Sequence, residues 1–143
     1  MKPTLRPGAS RTNRYTVDDA RATGIIGQAN RVYATPMFVR DIERTCRDLL
    51  VEHCETGEDS VGMEVVLRHI APTLIGMSVD IIATITAVDG RKVSFDVFAR
   101  DEIEPIGTGS HKRFVVDLSK SGERLKAKAE KFAALHGSKQ KCG

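Results

Sequence analysis

Residues 35–50, TPMFVRDIERTCRDLL, are the stretch on which the architecture turns. Met37, Phe38, Ile42, Cys46, Leu49 and Leu50 recur at helical spacing and His53 continues the stripe, so an amphipathic helix of about 18–20 residues is expected. Thr35 suits the N-cap, and Pro36 suits the first helical position, where its missing N–H would go unpaired in any case. Gly57 lies just past the end. Arg40, Asp41, Arg44, Arg47 and Asp48 form a charged face opposite the stripe, with Glu43 on the border between the two.

Downstream of this helix the hydrophobic period changes from 3.6 to two. Met63, Val65 and Leu67 alternate with Glu64, Val66 and Arg68; Val79, Ile81, Ala83 and Ile85 alternate with Asp80, Ile82, Thr84 and Thr86. Asp89-Gly90 supplies a tight hairpin turn into Val93, Phe95, Val97 and Ala99. A last run, Ile106 to Leu118, leads to Ser119 or Ser121, either of which can cap a C-terminal helix carrying Leu125, Ala129, Phe132 and Ala133. Upstream, residues 1–14 are polar, Tyr15-Thr16-Val17 reads as a short strand, and residues 18–34, with Gly24, Gly27 and Asn30, read as an irregular lid.

A lone helix followed by an antiparallel meander buries both apolar faces only if the sheet curls around the helix. The expected fold is therefore α+β, the hot-dog fold: an antiparallel β-sheet wrapped around one long central helix, plus a C-terminal helix. One domain spans residues 1–143, with its core at about 15–118 and a helical tail at 119–143. Such a sheet leaves an edge strand that a second copy can cover, so a homodimer or dimer of dimers is expected.

Composition narrows the function classes. The chain of 143 residues is 41% hydrophobic and 29% charged, ordinary for a globular protein, with no Trp. Its longest apolar runs are interrupted by Asp80 and threonines, which argues against a membrane span. The basic N-terminus, MKPTLRPGAS, has no apolar run behind it and does not read as a secretory signal, so a cytoplasmic protein is expected. Cys46, Cys54 and Cys142 lack metal-ligand or disulfide spacing, and reduced thiols with no metal or cofactor are the expectation. The net charge of +3 gathers in the tail, at Lys126, Lys128, Lys131, Lys139 and Lys141, without the interleaved aromatics of a nucleic-acid binder.

Three residue types carry candidate chemistry. The Thr35 hydroxyl can accept a first-turn N–H, and it also lies where a helix N-terminus favours an oxyanion or a phosphate. Glu43 follows eight residues on, about 12 Å along the axis, and is either a solvated carboxylate or a base in a partly desolvated pocket, with Asp41 as the competing carboxylate. His69 ends a strand on the face of Met63, Val65 and Leu67, pointing coreward as a packed residue or a ligand-facing one; His53, His111 and His136 do not share that setting. Gly62, Gly107 and Gly109 mark bulges or close approaches. Lys112 and Arg113 read as a solvated basic strand or as contacts for the phosphates of a nucleotide-bearing ligand.

Taken in order, ATPMFVRDIERTC, VGMEVVLRHIAPTLIG, VDGRKVSFDVFARD and PIGTGSHKRFVV resemble the blocks of the fluoroacetyl-CoA thioesterase family of hot-dog proteins, from about Val32 to Leu118, with a fainter echo in LRPG at 5–8. The resemblance implies hydrolysis of an acyl-CoA thioester. It places the family's catalytic Thr, Glu and His on Thr35, Glu43 and His69, its strand glycine on Gly62 and its late-strand arginine on Arg113. Two departures stand out. Pro36 replaces a glycine and removes one N–H, leaving Gly62 or Met37 to donate to an oxyanion. The family's aromatic lid positions are met by Ile26 and Ala29, which points to another short or medium acyl group. A non-catalytic acyl-CoA or small-molecule binding module on the same fold is the alternative.

Overall fold

The computed structural model describes the backbone of residues 1–142 and the side chains of residues 1–137. The side chains of Lys139, Lys141 and Cys142, included in the readings of tail charge and thiols, lie outside the described residues. Helix α1 (Thr35–Val51) packs against a five-stranded antiparallel sheet. The strands are β1 (Ser10–Thr16), β4 (Glu58–His69), β5 (Ser78–Asp89), β6 (Lys92–Asp101) and β7 (Pro105–Asp117), in the order β1-β5-β6-β7-β4. Five strands span roughly 19 Å at ~4.8 Å spacing, and a helix with its side chains is only ~10–12 Å across. Yet α1 touches β1 and β4, the two edges, as well as β5 and β7. The sheet therefore curls around the helix, as the sequence predicts.

The period-two segments form the core wall. Val79, Ile81, Ala83 and Ile85 of β5 and Val93, Phe95, Val97 and Ala99 of β6 are all buried, against Phe38, Ile42, Cys46, Leu49 and Leu50 of α1. Asp89 pairs with Lys92 across the predicted hairpin, where Gly90 takes a φ of 59°. In the segment expected to be irregular, short 3₁₀ turns at Asp19–Arg21 and Gln28–Asn30 flank a small ribbon of β2 (Ala22–Thr23) and β3 (Val32–Tyr33).

Four expectations change. The meander does not run in sequence order: β4 pairs with β7 at the far edge and not with β5, whose free side is taken by β1. That strand begins at Ser10, earlier than expected, because none of its residues is fully buried and its alternation carries no hydrophobic signal. The N-cap of α1 is Ala34, not Thr35; the Ala34 carbonyl accepts from both Met37 N–H and Phe38 N–H at 3.0 Å. The C-terminal helix α2 (Leu118–Cys142) starts before either serine, with the Asp117 carboxylate accepting the Lys120 N–H at 3.1 Å.

A bulge in β4 matters most for the site. Gly62 pairs with Arg113 and Glu64 with Lys112, which leaves Met63 without a partner. Directly paired residues share a face, so Gly62 lies on the inner face with Arg113, while Val65, Leu67 and His69 lie there with His111, Gly109 and Gly107. Met63 itself is displaced from the stripe it was assigned to and is 54% exposed. Seven residues apart, Gly62 and His69 would point to opposite sides of a regular strand; the bulge brings both to the inner face.

Candidate active site

Along α1 the candidate residues fall into two groups. The first gathers at the helix N-terminus. Because Ala34 provides the cap, the Thr35 hydroxyl is free, and its Oγ1 lies 2.8 Å from Nδ1 of His69. Gly107, opposite His69 in β7, leaves room for the Phe38 ring, and the imidazole stands edge-on to that ring at 5.0 Å. Tyr33 stacks on Phe38 at 5.1 Å and stands edge-on to the imidazole at 6.3 Å. Burial pushes the His69 pKa below its ordinary value, only partly opposed by the nearby Ala71 backbone, so the ring is neutral near pH 7. Its Nε2 is buried without a partner among the described residues, a situation that costs about 1–3 kcal/mol when nothing compensates it.

Thr35 and His69 open on an apolar cleft of about 610 Å³, lined also by Ile25, Ile26, Pro36, Ile70 and Pro72. Ile26 is thus at the cleft. Ala29 is exposed on the second 3₁₀ turn and does not line it. Met37 is half-buried against the core, and its N–H is already donated to Ala34.

The second group lies two turns further along. Glu43 is half-buried. A Cβ on Gly62 would sit 3.1 Å from Glu43 Oε1, 3.5 Å from His111 Cε1 and 3.7 Å from Arg113 Nη1, so all three surround the glycine. Arg113 is not on a solvated strand face: it is 6% exposed and donates from Nε to Ser60 Oγ at 2.7 Å and from Nη2 to the Ser60 carbonyl at 3.0 Å. Burial lowers its pKa from the ordinary guanidinium value, while Cys46, Glu43 and Asp59 oppose the loss of its charge. Thr35 and His69 are therefore brought together, Glu43, Gly62 and Arg113 are brought together, and the two sets stay apart within one chain.

Two residues depart from the sequence reading. Asp41 is fully buried rather than part of a charged face: Arg21 donates to it at 2.8 and 3.2 Å and the Tyr33 hydroxyl at 2.5 Å. Burial, together with this carboxylate, drives the Tyr33 pKa far above its ordinary value, which makes the phenol a fixed donor. Asp41 thus anchors the 18–34 segment to α1. His111, set aside in the sequence, is 1% exposed and stands beside Gly62. Its shared parity with Arg113 and Val115 on β7 is the signal that could have found it.

Comparisons with known proteins bear on the fold and on the activity. A family model described as fluoroacetyl-CoA-specific thioesterase matches residues 16–119. The fluoroacetyl-CoA thioesterase of Streptantibioticus cattleyicolor is 34% identical over 97 residues, 68% of this chain and 70% of that protein. Among solved structures, a mutant of the fluoroacetyl-CoA-specific thioesterase FlK in complex with fluoroacetate and CoA superposes with a TM-score of 0.74 at 30% identity, covering 81% of this chain and 98% of that one. A Thermus thermophilus hypothetical protein of the thioesterase superfamily gives a TM-score of 0.85 at 26% identity over 94% of this chain and 99% of its own.

Proposed function

The chain belongs to the fluoroacetyl-CoA-specific thioesterase family and is a thioester hydrolase of hot-dog fold, and from that premise we propose that it cleaves a short or medium acyl-CoA with Thr35, His69, Glu43 and Gly62. The observation that carries the reading is the neutral, half-buried His69, bonded to Thr35 on one nitrogen, unpartnered among the described residues on the other, and lining an apolar cleft. A thioester carbonyl supplies a polar atom to such a group while its acyl chain occupies apolar walls.

In this reading the acyl chain lies against Ile25 and Ile26, and their aliphatic surface sets its size. The Gly62 N–H, with no side chain to shield it, stabilises the developing oxyanion. Glu43 supplies the carboxylate, either attacking the carbonyl to form an anhydride that water then cleaves to free acid and Glu43, or taking the proton of a water that attacks directly. As the C–S bond breaks, the thiolate of CoA receives a proton through Thr35 and His69.

Two turns of α1 separate Glu43 from Thr35, about 12 Å at 1.5 Å per residue, so one carbonyl draws on two protomers. The β4 edge offers the contact, with Val61 51%, Met63 54% and Val66 53% exposed.

Release of free thiol from a series of acyl-CoAs, two to eight carbons long, tests the reaction. Glu43→Ala should lose about 10²–10⁴-fold in kcat, and an unchanged rate would mean that the carboxylate is misassigned. Sharing of the site is tested by mixing inactive Thr35→Ala and Glu43→Ala chains and allowing exchange. Half the dimers are then mixed and each holds one intact site, so about a quarter of wild-type activity returns under two-fold symmetry. No recovery would place each site within one chain.

A further inference from the structure

We propose that His111 is a positioning residue for thioester hydrolysis: with Arg113 it grips the β4 bulge on both sides of Gly62 and holds that glycine against Glu43. The inference rests on the assignment of Glu43 and Gly62 above and extends it to a residue to which that reading gives no role.

The hydrogen bonds determine the proton positions. His111 Nδ1 is 2.7 Å from the Glu64 carbonyl oxygen, which can only accept, so Nδ1 carries the proton. Nε2 is then a lone pair, and it accepts from Arg113 Nη1 at 3.2 Å. The guanidinium in turn donates from Nε and Nη2 to the hydroxyl and carbonyl of Ser60. Ser60 lies two residues before Gly62 and Glu64 two residues after it, so two side chains of β7 hold the bulged strand at both ends. Stacking on Phe95, with ring centroids 6.0 Å apart, fixes the imidazole plane.

The grip bears on the reaction because a bulge interrupts the backbone ladder that otherwise fixes a strand. β4 is also an edge strand, with β7 as its one neighbour in the sheet. The backbone around Gly62 therefore depends on side chains for its position. The His111 ring itself passes 3.5 Å from where a Gly62 Cβ would stand, which sets the height of the glycine above Glu43 Oε1. Burial holds the His111 pKa down, opposed by the Glu64 carbonyl, which keeps the ring in the neutral form the two bonds require.

The test uses the amide variants of His111, because Asn places its donor near Nδ1 and Gln places its acceptor near Nε2. His111→Leu should lower kcat about 30-fold or more, as expected for a displacement approaching ~1 Å at the reacting centre, with KM changed less than about threefold. His111→Asn, which keeps the bond to Glu64, should recover at least about tenfold over the Leu variant, and His111→Gln should not. Hydrogen exchange of the Gly62, Met63 and Glu64 amides should quicken in the Leu variant while α1 and β5 keep their protection. A Gln variant equal to or better than Asn, or a kcat per folded chain that follows wild type in all three, overturns the proposal. If none of the variants folds, the long-range ¹H–¹⁵N spectrum of the wild-type chain decides, since a proton on Nε2 rather than Nδ1 would refute it. Glu43→Gln is measured alongside: if it keeps full activity, the underlying site assignment fails, whereas its loss together with unaffected His111 variants sinks only the grip.

Discussion

Alanine at Gly107 would place a Cβ 2.7 Å from both Cε2 and Cζ of Phe38 and 3.1 Å from the Arg68 carbonyl oxygen. Carbon atoms pack best at ~3.5–4.0 Å, so the ring is overlapped by roughly 1 Å. Phe38 has no empty space to enter: it is fully buried, stacked on Tyr33, and it supports the His69 ring at 5.0 Å. Overpacking of this kind costs about 1–3 kcal/mol. At about 3–4 °C per kcal/mol for a domain of this size, the melting temperature of Gly107→Ala should fall by roughly 3–12 °C. Displacement of Phe38 also moves His69 against Thr35, so thiol release from the preferred acyl-CoA should slow about tenfold or more. Phe38→Leu on the same chain relieves the overlap, and the double variant should be at least about 1 kcal/mol more stable than the sum of the single effects. A melting temperature within about 1 °C of wild type, together with an unaltered rate, would show that Gly107 is not there to admit the ring and that the support of His69 lies elsewhere.

Two further outcomes concern stability. His69 and His111 both have folded pKa values pushed below the ordinary 6.5 by burial, so on acidification the unfolded chain takes up those protons first. Their contribution is complete above about pH 6.5 and is lost as pH falls from there towards the folded values; melting curves flat between pH 7 and 5 would contradict it. Asp41→Asn leaves the half-buried Arg21 with only Asp18, at 2.9 Å, for charge compensation. Loss of one member of a buried pair should cost about 3 kcal/mol in urea titration, and limited proteolysis should then cut within residues 18–34; unchanged stability would mean that Asp18 alone suffices.

The sequence makes the helix and the four long strands legible because their apolar residues repeat at 3.6 or at two, and in α1, β5 and β6 that repeat is the buried side. Strand order is not legible in the same way, since alternation says which face of β4 is apolar and nothing about its neighbour in the sheet. Asp41 is invisible for a related reason. A carboxylate flanked by Arg40 and Arg44 looks solvated, and its true partners, Arg21 and Tyr33, come from a segment without periodicity. The Thr35 cap is misread because the chain enters α1 with Ala34 extended, at ψ 134°, which moves the cap one residue back and releases the hydroxyl for His69. Of the residues that the family resemblance singles out, the structure pairs Thr35 with His69 and sets Glu43 beside Gly62, contacts that no periodicity encodes. The inward setting of His111 is legible from its parity with Arg113 and Val115, whereas its bond to the Glu64 backbone depends on a bulge that alternation cannot register.

The single unpaired residue in β4 behaves as a change of phase in the strand. Gly62 belongs to one reading of the alternation and His69 to the next, and Met63 is where one gives way to the other. A lineage that lost Met63 by deletion would run the two readings together as one regular ladder, with Gly62 and His69 still on the inner face, whereas one that kept the residue but straightened the bulge would turn one half of β4 outward. Substitutions at Met63 should therefore be absorbed readily in divergence, and a single residue lost between Gly62 and His69 should be accompanied by loss of the bulge rather than by a compensating insertion. Alignments of this strand are best anchored separately on either side of that position.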